Sequence, residues 1–361
     1  VERIDDALFQ ENERVAPNSS ERQVWHAGDL PLSSGITLPD VKVAFQTWGK
    51  LTGNKDNAIL VCHALSGDSN AAGWWERLIG PGKAIDTNSF FVIGTNALGG
   101  CQGTTGPASD APDGNPYRMR FPFVTVQDMV KLQHRLVTYL GIKRLHAVIG
   151  GSMGGMQALE YSVSNPGSVR KVWMTASALT HSAMQIGFNE VARQAIMRDP
   201  RWQGGNYSPE NPPVDGLAVA RMVGHLSYLS EASFEQKFGR NPQAPHQEVA
   251  GLQDQFQVES YLNYQGDKFT HRFDPNSLLY LTKAIDCYHC KSLSGSDSEY
   301  LFTSFSSDWL YPSWQSQRAL DLALQTGNIA KHCIIDVPWG HDSFLLDQGE
   351  QANHVRCFVN R

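Results

Sequence analysis

The chain has 361 residues, of which 41% are hydrophobic and 18% charged, so it can bury a packed core and is not globally disordered. Its net charge is −6, with no Lys/Arg block, which argues against nucleic acid as the main partner. The apolar runs are too short to span a bilayer, and Val1-Glu-Arg-Ile-Asp-Asp6 has no apolar signal core, so no membrane association is expected.

In chain order, residues 1 to about 22 are polar and patternless and read as a loose arm. Leu30 to Trp48 holds two β-like runs, the clearer one alternating Val41, Val43 and Phe45 with Lys42 and Ala44. Ala58-Ile-Leu-Val-Cys62 is fully apolar, as a strand inside a parallel sheet should be, and runs into a loop beginning at His63. Gly73 to Gly80 is an amphipathic patch. Ser89 to Gly94 is another buried-type strand, followed by a Gly- and Thr-rich loop from Asn96 to Pro107.

Thr125 and Asp128 have capping-box spacing at the head of a helical period that Gly141 closes. Leu145 to Ile149 is a strand. Gly150-Gly-Ser-Met-Gly154 is a tight turn, and a helix is expected from about Met156 to Asn165. Val169 to Met174 is the next strand. From about 179 to 298 no core-strand run recurs. Helical patterns at Ala183–Met197, Gly216–Leu229, Phe234–Phe238, Val258–Leu262 and Ser277–Cys290 read as an insertion or lid. The α/β rhythm returns with Glu299–Phe305, a helix from about Ser313 to Gln325, a strand at His332–Val337 and a closing helix from about Gly349 to Val359. The order predicts an α/β fold with a mostly parallel, doubly wound sheet. Its core domain would comprise 1–178 and 299–361, with a helical lid over 179–298.

The turn at Ser152 carries the chemistry. In a G-x-S-x-G turn between strand and helix, the serine is held in a strained conformation with its hydroxyl exposed, and the helix N-terminus favours negative charge beside it. The bland alternative is a structural Gly-rich turn. An activated serine needs a base, and the base needs a partner that fixes its tautomer. Asp308 follows one strand and His341 the next, giving the chain order Ser, Asp, His of an α/β-hydrolase triad. Taken singly, Asp308 could be a helix cap and His341 one of 12 histidines. His63 is a rival base, but its loop is better suited to an oxyanion donor. The backbone N–H groups of Met153 and Leu65 are the expected hole.

Six well-spaced cysteines do not form a disulfide framework, which favours a reducing cytoplasm. Cys287-Tyr-His-Cys290 lacks a second ligand pair and reads as ordinary helix rather than a zinc site.

These features, together with His63-Ala-Leu-Ser-Gly-Asp68, Gly99 to Pro107, Gly150 to Leu159, Ala220-Arg-Met-Val-Gly-His225, Ser307-Asp-Trp-Leu-Tyr-Pro312 and Gly340-His-Asp-Ser-Phe344, resemble the homoserine O-acetyltransferase family. The resemblance spans nearly the whole chain after the arm. It implies an α/β-hydrolase fold and ping-pong transfer of acetyl from acetyl-CoA through Ser152 to the hydroxyl of L-homoserine, for methionine synthesis. Asp308 would orient His341. No metal and no permanently bound cofactor would be needed. Substrate contacts would fall on Arg221 and Asp342, suiting a zwitterion's carboxylate and ammonium. On the residues alone these two read as a surface salt bridge and a turn cap. Succinyl-using relatives are expected to carry arginine where this chain has Leu310, which favours acetyl. A serine acceptor and a serine esterase are the competing activities, and a non-catalytic binding protein is a further alternative. The family also implies a homodimer joined through the helical lid, in keeping with the apolar and aromatic residues at Met222–Tyr228 and around Tyr261–Tyr264.

Overall fold

The computed structural model describes residues 21–243, 256–347 and 349–361. The arm expected over 1 to about 22 therefore lies outside the described residues except for its last two. The strands are β1 (Gln23–Pro31), β2 (Thr37–Trp48), β3 (Ala58–Cys62), β4 (Ile79–Gly80), β5 (Ile85–Asp86), β6 (Phe91–Thr95), β7 (Leu145–Gly151), β8 (Val169–Thr175), β9 (Glu299–Phe305) and β10 (Ala330–Ile335). The α-helices are α1 (Ala71–Trp74), α2 (Val126–Tyr139), α3 (Met153–Ser164), α4 (Ala183–Arg198), α5 (Val214–Tyr228), α6 (Glu231–Lys237), α7 (Gln257–Thr270), α8 (Pro275–Asp286), α9 (Ser313–Gln325), α10 (Ser343–Leu346) and α11 (Glu350–Val359).

Eight strands form one sheet in the order β1-β2-β6-β3-β7-β8-β9-β10. The run from β6 to β10 is parallel, and β1 and β2 are added antiparallel at one edge. Strands β3 and β7 are central, and every residue of β3 is buried. A strand covered on both faces needs this continuous apolar character. β1 begins at Gln23, well before the first expected run, and most of its residues are exposed, as befits an edge strand whose sequence carries little apolar signal.

Local chemistry sets the helix starts. Thr125 accepts from the Asp128 amide at 3.2 Å, and the Asp128 carboxylate accepts from the Thr125 amide at 2.9 Å, so the expected capping box is formed. Ser182 and Gln185 build a second box at the head of α4.

Apolar residues cover both faces of the sheet. On one face the Trp75 and Trp173 rings stack at 5.1 Å. The Trp75 indole N–H donates to the Phe344 carbonyl at 2.8 Å, tying α1 to the segment that follows β10. Helices α4 to α8 lie between β8 and β9 in sequence. Leu217, Leu278, Leu281 and Ile285 of this helical block belong to the same apolar cluster as Val148 and Met153. The C-x-x-C does not continue α8. Cys287 caps the helix, and His289 forms an isolated bridge with Thr180. All six cysteines are unpaired. Among the described residues no helix is long and apolar enough to cross a membrane.

Candidate active site

Ser152 sits between β7 and α3 with φ 55° and ψ −125°, a conformation that few non-glycine residues adopt. The expected helix start at Met156 is three residues late, because α3 begins at Met153, directly after the serine. Gly154 therefore lies inside the first helical turn rather than in a loop. A Cβ there would stand 2.0 Å from the Cys62 carbonyl oxygen, so only glycine lets α3 approach the end of β3. The turn is fixed from below. The Ser152 amide donates to the Thr175 carbonyl at 3.1 Å, and the Ser177 hydroxyl donates to the Ser152 carbonyl at 2.7 Å.

Asp308 and His341 are brought together from the loops after β9 and β10. His341 Nδ1 donates to Asp308 Oδ2 at 2.8 Å, with both side chains almost fully buried. Asp308 Oδ1 accepts the Tyr311 amide at 2.8 Å, so both carboxylate oxygens are used. The Ser307 hydroxyl holds the two loops together, accepting from the Gly340 amide at 2.9 Å and donating to the Val337 carbonyl. Gly340 has φ 73°, and a Cβ there would stand 2.5 Å from the Ser230 amide. Ser152 and His341 line one cavity of about 770 Å³. In this arrangement no hydrogen bond closes between them. Such contacts often tighten only when substrate is bound.

His63 is not poised as a base. Its Nε2 accepts from the Ala97 amide at 2.9 Å, so Nδ1 carries the proton and donates to the Ala64 carbonyl at 2.7 Å. Burial holds it neutral by lowering its pKa. It shapes the loop carrying Leu65. Among the described residues, the amides of Leu65 and Met153 donate to no protein acceptor. Leu65 lines the cavity beside Ser152, and the Met153 amide opens the N-terminus of α3.

Arg221, on α5, is only 7% exposed, so it is not a surface salt-bridge residue. Its Nη1 donates to Ser66 Oγ at 3.2 Å, and its guanidinium lies 4.7 Å from the Phe269 ring centroid. Asp342 makes no side-chain cap to α10. Both residues line the cavity that holds Ser152 and His341, as do Arg77, Lys268 and Arg272, with Asp68 and Glu76 among them. Leu310 lines a smaller chamber of about 60 Å³ that also reaches Ser152 and Arg221.

Sequence reasoning missed three side chains here. Tyr311 stacks on the His341 ring at 4.9 Å, with 23° between the planes. The Tyr311 hydroxyl is paired with His181 Nε2 at 2.6 Å, and His181 Nδ1 with Asp286 at 2.9 Å. Tyr311 lies in a motif quoted above, but His181 and Asp286 come from distant segments that carry no local signal.

The sheet order, the serine turn at the end of β7 and the buried His341–Asp308 pair define an α/β hydrolase. The model of the alpha/beta hydrolase fold matches residues 57–348. More narrowly, the chain belongs to the homoserine O-acetyltransferase family. It is 47% identical over 354 residues to the homoserine O-acetyltransferase of Solidesulfovibrio magneticus, covering 92% of this chain and 89% of that protein. It is 45% identical to that of Desulfotalea psychrophila, covering 94% of each. Among solved structures, the homoserine O-acetyltransferase from Bacillus anthracis superposes with TM-score 0.88 at 31% identity, covering 94% of this chain and 98% of that one. An esterase superposes with TM-score 0.86 at 30% identity, covering 94% of this chain and 99% of that one.

Proposed function

We propose that this protein acetylates the side-chain hydroxyl of L-homoserine, using acetyl-CoA as donor and Ser152 as the acyl carrier. One observation carries the reading: Ser152, His341, Arg221 and Asp342 line a single cavity, and Asp308 is bonded to His341. His341 Nε2 takes the Ser152 proton as Oγ attacks the thioester carbonyl. The amides of Leu65 and Met153 receive the developing oxyanion. The C–S bond breaks, and His341 returns the proton to the departing thiolate. In the second half-reaction His341 takes the homoserine hydroxyl proton, the alkoxide attacks the acetyl-serine, and Ser152 is released with its proton restored. Asp308 fixes the His341 tautomer and stabilises the imidazolium in both halves.

Arg221 takes the homoserine carboxylate and Asp342 its ammonium group. The cations Arg77, Lys268 and Arg272 suit the anionic coenzyme. No metal or resident cofactor enters these steps. Leu310 puts an apolar side chain, rather than a cation, in the small chamber beside Ser152, which supports acetyl over succinyl as the acyl group. We place the reaction in the cytoplasm, in keeping with six unpaired cysteines. We place a homodimer contact on the helical block, where Val219 and Leu226, seven residues apart on α5, are both about half exposed.

The test is thiol release from acetyl-CoA or succinyl-CoA with L-homoserine, L-serine or no acceptor, with products identified by mass. Rapid release that needs acetyl-CoA and homoserine together, and is lost in Ser152→Ala, is the expected result. The esterase likeness favours a second reading, acyl-ester hydrolysis. Thiol release that ignores every acceptor and yields free acetate would establish that activity and overturn the transferase.

A further inference from the structure

Behind the triad lies a second buried His–Asp pair that the steps above do not use. His181 immediately precedes the Ser182 cap of α4, and Asp286 ends α8. The His181, Asp286 and Arg193 side chains are 2%, 4% and 8% exposed. Asp286 Oδ1 accepts from His181 Nδ1 at 2.9 Å and from the Asn189 amide nitrogen at 2.7 Å. Asp286 Oδ2 accepts from Arg193 Nη1 at 2.7 Å. Burial works to raise the Asp286 carboxyl, but hydrogen bonds from His181, Asn189 and Arg193 outweigh it and keep the group ionised. With Nδ1 committed as donor to a carboxylate, neutral His181 presents Nε2 as an acceptor. Nε2 accepts a hydrogen bond from the Tyr311 hydroxyl at 2.6 Å.

The far end of Tyr311 is thus held by the helical block. Its near end is held by the backbone N–H bond to Asp308. Between these anchors its ring lies nearly flat on His341, and Ser152 lies beside its hydroxyl. Buried ionic networks of this kind contribute little net stability, because desolvation offsets the Coulomb gain. This one terminates on the residue that packs against the general base.

We infer that Arg193, Asp286 and His181 form a positioning chain that locks Tyr311 against His341, fixing the imidazole in the plane from which Nε2 meets Ser152. The inference rests on the acyl-serine mechanism proposed above. His181 is a positioning residue, acting through Tyr311, whose ring bears on His341 and whose hydroxyl lies beside Ser152. The chain joins α4 and α8 to the triad, so the geometry of the base depends on the seating of the helical block. Rings or charges that also bear on the unit are Tyr228, which packs on His341 at 5.9 Å, Phe344, which packs on it at 5.4 Å, and Asp308.

The experiment compares Tyr311→Phe, His181→Asn and the double variant with the wild type. The asparagine of His181→Asn keeps a polar atom near Asp286 but cannot reach the Tyr311 hydroxyl. Each single variant should lose kcat by roughly 10- to 100-fold, the range for a slightly misplaced catalytic group. The KM values for acetyl-CoA and homoserine should change by less than about threefold, and the double variant should be no worse than the poorer single. The pH profile of kcat/KM should move together in both. Wild-type kcat and pH profile in Tyr311→Phe would overturn the inference, as would multiplicative losses in the double variant. A loss of thermal stability with kcat intact would reduce the chain to a structural role and overturn it equally. The same comparison with p-nitrophenyl acetate reads the positioning of His341 even if homoserine proves not to be the acceptor, which separates failure of this inference from failure of the proposed function.

Discussion

Replacing Asp308 by Asn changes one oxygen to an NH2 group and leaves the shape intact. The consequence follows from what each carboxylate oxygen does. Oδ1 accepts the Tyr311 amide and Oδ2 accepts His341 Nδ1–H, each at 2.8 Å. An amide offers only one acceptor. If its oxygen turns to His341, its NH2 meets the backbone N–H of Tyr311, and that donor cannot be reversed. If its oxygen turns to Tyr311, its NH2 meets Nδ1, and the imidazole can answer by moving its proton to Nε2. The second arrangement avoids the clash and so prevails. It places the proton on the nitrogen that must receive one from Ser152. The imidazolium of the transition state also loses its counter-charge. At about 4 Å and an effective dielectric of about 20, that is worth about 4 kcal/mol, or roughly 10³-fold. With the tautomer penalty, kcat should fall by about 10³ to 10⁴, with both KM values within about threefold and the unfolding midpoint nearly unchanged. Steady-state thiol release with acetyl-CoA and homoserine measures the first two, and calorimetry the third. A kcat within about tenfold of wild type would refute the reasoning.

Three further outcomes are expected. Arg221→Gln should raise the KM for homoserine by roughly 10- to 100-fold, the value of one charge-assisted hydrogen bond, while the stoichiometric burst of coenzyme A release without acceptor persists in rapid-quench measurements. Gly154→Ala should destabilise the protein by about 1–3 kcal/mol in urea unfolding and abolish the burst, because the new Cβ would press on the Cys62 carbonyl and lever Ser152 out of place. Burial, reinforced by Arg221 and Lys237, pushes the His225 pKa down to about 2. The unfolded chain would protonate it near 6.5, so stability falls as the pH drops below about 6.5, with a slope approaching about 1.4 kcal/mol per unit for this group. Urea unfolding between about pH 7 and 5 should show the slope reduced by that amount in His225→Gln.

Local pattern carried much of this site. The serine turn, the Thr125–Asp128 box and the apolar β3 and β7 are each decided within about a dozen residues, so their signals are visible in the sequence. The start of α3 is harder to read, because the glycines on either side of Met153 resemble a loop. The reason for Gly154 is the 2.0 Å approach of α3 to β3, a tertiary fact. The rival base His63 could be dismissed only from the Ala97 amide, which fixes its tautomer from 34 residues away. Arg221 and Asp342 reached the site reading only through family resemblance, since nothing local sets a buried arginine on a helix apart from an exposed one. The Tyr311–His181–Asp286 chain spans separations of 130 and 105 residues, and although Tyr311 lies in a quoted motif, nothing in the sequence ties it to His181 or Asp286.

The acyl-serine alone does not decide between an alcohol and water as its second attacker, and a solved esterase with nearly the same backbone makes that point concrete. What favours the alcohol is placement. A hydroxyl held against the acyl carbon by two anchors acts at an effective molarity of about 10⁵ M or more, far above that of water in the same cavity. Arg221 and Asp342 can provide two such anchors because a zwitterion offers one charge to each. Serine is one methylene shorter than homoserine, so a clamp that seats homoserine correctly leaves the serine hydroxyl short of the carbonyl. Loosening the clamp should therefore do more than weaken binding. In Arg221→Gln the acetyl-enzyme persists longer, water competes on better terms, and acetate should appear among the products in proportion to the loss of homoserine affinity. Product analysis that finds tight coupling to acetylhomoserine in that variant would mean that water is excluded by the shape of the cavity rather than outrun by the bound acceptor.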